Sequence, residues 1–138
     1  MKRVLVIDDD DLFRAMVCDT LRDAGYEVLE APDGKAGLKV LKSSAVDMVV
    51  TDLFMPEKEG LETIRQIIKD HEAVRIIAIS GGMRGSTMDF LPIAKILGAA
   101  RVFHKPLDRK AFLAATRELL GEVNAGPDTP PPDPHTPM

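Results

Sequence analysis

Short apolar runs alternate with helical stretches along most of this chain. Residues 4–7 (Val-Leu-Val-Ile) are an unbroken apolar run, as expected of a strand buried on both faces. Apolar residues then recur at Leu12, Phe13, Met16, Val17 and Leu21, which is helical spacing, and Gly25 stands where a helix would stop. A second strand is read at 26–30. Asp33-Gly34 opens a second helix carrying Ala36, Leu38, Val40 and Leu41. Gly37 inside that helix costs it about 0.5–1 kcal/mol relative to Ala. The third strand is read at 46–51, a loop containing Pro56 at 53–59, and a third helix at 60–70 with Leu61, Ile64, Ile67 and Ile68 on one stripe. Residues 74–79 form the fourth and most apolar strand. A Gly-rich loop at 80–86 leads into a helix at 87–97, kinked or delayed by Pro92 and ended by Gly98. The fifth strand spans 101–104, and Asp108 is positioned to cap a last helix reaching about Gly121.

Five strands and five helices in alternation predict a doubly wound α/β fold, a parallel sheet with helices on both faces. Right-handed crossovers put all strand C-terminal ends on one edge, and open α/β sheets bind their ligands there.

The length, 138 residues with 45% apolar content, fits one domain, read at 1–122. The remaining 123–138 holds six of the ten prolines and almost no apolar side chains, the composition of a disordered tail with polyproline character. The tail is too short to be a folded effector. A formal charge of −4 without a basic stripe argues against direct nucleic-acid binding. Cys18 is the only cysteine, which excludes an intramolecular disulfide, and the three dispersed histidines make no zinc pattern. No run approaches membrane-spanning length and the start is too short for a signal peptide, so a cytoplasmic protein is expected.

The first strand runs straight into Asp8-Asp9-Asp10-Asp11. Asp10 and Asp11 suit a helix N-terminus. Asp8 and Asp9 fall on the same predicted edge as Asp52 after the third strand, Ser80 after the fourth and Lys105 after the fifth. Clustered carboxylates suit a hard cation such as Mg²⁺. A carboxylate can also attack a phosphoryl group to form an acyl phosphate, provided a divalent cation and a lysine offset the charge. No Ser/His/Asp arrangement or glycine-rich nucleotide motif competes.

The segments Val4-Leu5-Val6-Ile7-Asp8-Asp9-Asp10, Asp52-Leu53-Phe54-Met55-Pro56, Ile79-Ser80-Gly81 and Lys105-Pro106-Leu107 together resemble the receiver domain of two-component response regulators, in its stand-alone form. The likeness covers roughly 2–121. It implies a flavodoxin-like (βα)5 fold with strand order 2-1-3-4-5. It implies that Asp52 accepts a phosphoryl group from a histidine kinase or histidine phosphotransfer protein. Asp8, Asp9, Asp52 and the backbone carbonyl of Phe54 would hold Mg²⁺. Lys105 would pair with the phosphoryl group, Ser80 would move on activation, and the peptide bond before Pro106 would be cis. The protein would be a switch that phosphorylates and dephosphorylates itself at Asp52, with no separate substrate turned over. An unidentified downstream protein would read the changed surface, and the chain would be a monomer or a phosphorylation-dependent dimer.

Two positions depart from the pattern. Val102 stands where the family usually has an aromatic residue, with Phe103 beside it. Phe54 places a bulky apolar side chain at the mouth of the site. Two other function classes compete. A constitutive receiver-fold interaction module would not need the complete acidic set and Lys105. A phosphate-hydrolysing enzyme would want a second acid/base carboxylate near Asp52, which Leu53-Phe54 does not supply.

Overall fold

The computed structural model describes residues 1–53, 59–80, 95 and 98–121. Phe54, the Gly-rich loop expected at 81–86, all but Lys95 of the helix expected at 87–97, and the tail at 123–138 lie outside the described residues. The strands are β1 (Arg3–Ile7), β2 (Glu27–Ala31), β3 (Met48–Asp52), β4 (Arg75–Ser80) and β5 (Arg101–His104). The helices among the described residues are α1 (Asp11–Asp23), α2 (Gly34–Ser43), α3 (Glu59–Asp70) and α4 (Arg109–Leu120).

All neighbouring strands pair in parallel in the order β2-β1-β3-β4-β5, the order implied by the sequence resemblance. β1 lies inside the sheet, between β2 and β3, and its residues 4–7 are apolar on both faces. Val4 and Val6 join one core with Val17, Leu21, Val50, Ile77 and Phe112, under α1 and α4. Leu5 and Ile7 join the opposite core with Leu41, Val49, Ile64, Ile67 and Ile76, under α2 and α3. The period of two along each strand sorts the residues between these layers.

Aspartates start three of the helices. The Asp10 carboxylate accepts the amide protons of Leu12 and Phe13, each at 3.1 Å. Asp33 accepts from Ala36 at 2.8 Å and Asp108 from Ala111 at 3.1 Å. These caps satisfy amides that the first helical turn leaves without partners. Asp10 thus belongs to the helix start, as its position in the aspartate run suggests.

The strand ends differ slightly from the apolar pattern. Asp52 and Ser80 are the last residues of β3 and β4, not the first loop residues. The ladder continues past the apolar run because Asp52 pairs with Ile79, and Leu53 N–H donates to the Ile79 carbonyl at 2.9 Å. Tyr26 precedes β2, its N–H bonded back to Leu21 at the end of α1. At the other end of its run, Val74 precedes β4 because its N–H turns back to the His71 carbonyl.

Candidate functional site

Adjacent strands deliver the site. Asp8 directly follows β1, Asp52 ends the neighbouring β3, Ser80 ends β4, and Lys105 directly follows β5. Lys105 N–H donates to the Ser80 carbonyl at 2.9 Å, which ties the start of its side chain to the sheet edge. The Lys105–Pro106 peptide bond is cis, as the resemblance implied.

Asp8, Asp52 and Ser80 are buried, at 1%, 3% and 2% exposure, while Asp9 faces solvent. One carboxylate oxygen from each of Asp8, Asp9 and Asp52 lies within 4.8 Å of the other two. Lys105 Nζ sits 3.4 Å from Asp8 Oδ2 and 3.4 Å from Asp52 Oδ2. Asp8 Oδ1 accepts the Asp10 N–H at 2.8 Å, but Oδ2 is buried and makes no hydrogen bond. Its contact with Lys105 is a charge pairing without hydrogen-bond geometry. Burial, followed in effect by the neighbouring Asp52 charge, pushes the Asp8 carboxyl up to about 7, although the Asp10 amide and Lys105 oppose the rise. A buried carboxylate oxygen without a hydrogen bond, facing two further carboxylates, fits a hard divalent cation.

Four residues outside the sequence-predicted set support this geometry. Arg14, one turn into α1, donates to the Asp8 carbonyl at 2.6 Å and pairs with Glu30 at 3.1 Å and Asp11 at 2.8 Å. It pins the turn between β1 and α1. Phe13 places its ring under Lys105, with Nζ 4.1 Å from the ring centroid. Thr51 donates its hydroxyl to the Asp52 carbonyl at 3.2 Å. Gly60, near the start of α3, lies against β3 so closely that a Cβ would fall 2.6 Å from the Asp52 carbonyl oxygen and 2.6 Å from Leu53 Cα. The sequence signal for Gly60 is a glycine in a first helical turn, where propensity alone disfavours it.

The other candidates separate cleanly. Val102 packs into the layer under α2 and α3, and Phe103 into the opposite layer, edge-on to Phe112 with ring centroids 6.0 Å apart. Phe103 therefore cannot stand in for an aromatic at position 102. Burial, with the Glu30 charge behind it, pushes the Cys18 thiol up to about 11, so Cys18 is a packing residue of the core.

A family model described as the response regulator receiver domain matches residues 4–117. The chain belongs to this family. Members are signalling switches that take phosphate from histidine kinases, and aspartate phosphorylation with Mg²⁺ is typical of them. The receiver is 38% identical over 120 residues to the regulatory protein VirG of Agrobacterium fabrum, covering 87% of this chain and 46% of VirG. It is 33% identical over 112 residues to the CAI-1 autoinducer sensor kinase/phosphatase CqsS of Vibrio cholerae, covering 81% of this chain and 16% of CqsS. The chain thus spans half or less of the curated relatives it matches. Among solved structures it superposes on the response regulator TrrA of Thermotoga maritima in complex with Mg(2+)-BeF, at TM-score 0.76 and 27% identity, covering 87% of this chain and 100% of that one. A CheY-like receiver from Methanospirillum hungatei shares the fold at TM-score 0.80 and 24% identity, covering 88% of this chain and 95% of that one.

Proposed function

We propose that this receiver, folded over 1–122, is a phosphoacceptor switch in which Asp52 takes a phosphoryl group from a phosphohistidine of a histidine kinase or phosphotransfer protein. The observation that carries the reading is the buried Asp52 carboxylate with Lys105 Nζ at 3.4 Å and the Asp8 and Asp9 oxygens within 4.8 Å. An Asp52 oxygen attacks phosphorus, a P–O bond forms, and the P–N bond breaks with its electron pair returning to the imidazole. Lys105 offers its ammonium to the transferred oxygens, and the Ser80 hydroxyl donates to one of them. Asp8, Asp9, Asp52 and the Phe54 carbonyl would hold Mg²⁺, which when bound offsets the repulsion between the attacking carboxylate and the phosphoryl oxygens.

Once phosphorylated, Asp52 competes for the Lys105 and Ser80 side chains at the ends of β5 and β4. Their inward movement alters the face carrying β5 and α4, and a downstream protein reads that face. The proposed setting is cytoplasmic; no helix among the described residues is long and apolar enough to cross a membrane.

The test is intact mass after incubation with Mg²⁺ and acetyl phosphate. The parent gains one labile phosphoryl group and Asp52→Asn gains none. A folded parent that never gains the adduct would instead support a constitutive interaction module.

A further inference from the structure

Lysine is a poor positional anchor, because its charge sits at the end of a flexible four-carbon stem. Only the first part of Lys105 is fixed by the sheet, through its N–H bond to Ser80. Its ammonium meets Asp8 and Asp52 at 3.4 Å each, longer than the usual charge-assisted hydrogen bond. The third contact is the face of Phe13, at 4.1 Å from the centroid and within cation–π range. The ring is itself held. Its backbone N–H is capped by Asp10, and its side chain packs half-buried against the core under α1 and α4.

We infer that Phe13 is a positioning residue for Lys105. Its ring is the wall against which the ammonium rests between the two carboxylates. The chemistry suits that task. A ring face attracts a cation without taking up its N–H donors as a carboxylate would, so those protons stay available for phosphoryl oxygens. The ring also covers one side of a side chain that is only 20% exposed, which reduces its hydration. The Asp10 cap gains a second consequence: by fixing the first turn of α1, it fixes where the ring stands.

The inference rests on the assignment of Lys105 as the phosphoryl-pairing cation, and the experiment keeps the two apart. Wild type, Phe13→Leu and Phe13→Tyr are compared in two measurements. The first is the NMR shift of the Lys105 ε-methylene protons in the Mg²⁺-free protein. Ring current moves them upfield in wild type and Phe13→Tyr, and Phe13→Leu loses the displacement. The second is the rate of Asp52 phosphorylation by phosphoramidate with Mg²⁺. Phe13→Leu falls about two- to fivefold, on the scale of one partly exposed cation–π contact, and Phe13→Tyr keeps the wild-type rate. Circular dichroism confirms that each variant is folded. A wild-type shift or rate in folded Phe13→Leu overturns the inference. So does a loss that Phe13→Tyr fails to rescue, because packing alone would then explain it. A wild type that accepts no phosphoryl group overturns the assignment of Lys105, while the methylene shift still decides whether the ring holds the ammonium.

Discussion

The Asp8 carboxyl is buried at the end of β1 and held up to about 7, first by burial and then by the Asp52 charge. Its unfolded value is roughly 4. A carboxyl raised in the folded state contributes stability that is complete below the unfolded value and disappears as pH rises through the folded one. Without Mg²⁺, that stability therefore drains away from roughly pH 4 upward and is gone above about 7. Asp8→Asn, neutral at every pH, removes that penalty. Its urea midpoint is expected to draw ahead of the parent's progressively between about pH 4 and pH 7 and to hold that lead at pH 8; a gap that ignores pH would contradict the assignment. On the proposed role of Asp8 as a Mg²⁺ ligand, the ion displaces the Asp8 proton, and its affinity for the parent is expected to rise across the same window. The clustering of Asp8, Asp9, Asp52 and Lys105 was legible in the sequence because each stands at or just past the end of an expected strand. Arg14 and Phe13 were not. Both read as ordinary helix residues, and only the direction of their side chains from α1 toward the sheet edge brings them to Asp8 and Lys105.

At the scale of elements, α3 packs so tightly against the end of β3 that Gly60 leaves no room for a side chain. The atoms a Cβ would meet, the Asp52 carbonyl oxygen and Leu53 Cα, are backbone and cannot rotate away. Gly60→Ala is expected to cost roughly 1–3 kcal/mol, the range of overpacked cores, and to slow Asp52 phosphorylation by shifting the acceptor. Gly37→Ala is the contrasting case. Its Cβ would run into the Ile7 side chain, and the gain in helix propensity, about 0.5–1 kcal/mol, offsets part of that clash. Denaturant midpoints should rank Gly60→Ala below Gly37→Ala; the reverse order would contradict the packing described. The existence and order of the described elements followed from the alternation of apolar runs with helical spacing. Their ends did not, because β3 and β4 are extended by hydrogen bonds to neighbouring strands rather than by apolar residues. The glycine at 37 reads in sequence only as a weakness in a helix, whereas its surroundings show a close approach to β1.

For the whole molecule, function rests on topology. Asp8, Asp52, Ser80 and Lys105 span nearly a hundred positions of sequence, and the order β2-β1-β3-β4-β5 sets the strands that carry them side by side. A different order would leave each as an isolated polar residue at a strand end. Val102 and Phe103 illustrate the limit of reading position alone: the sheet sends them to opposite layers, so a neighbouring aromatic in sequence is no neighbour in space. The claim that everything else serves is that Asp52, and no other carboxylate of the cluster, becomes the acyl phosphate. Borohydride reduces an acyl phosphate to the alcohol and leaves free carboxylates intact. The protein can be phosphorylated by phosphoramidate with Mg²⁺, reduced, digested and sequenced by mass spectrometry. Homoserine at position 52 alone is the predicted result; homoserine at position 8 or 9, or none at any position, would contradict the account.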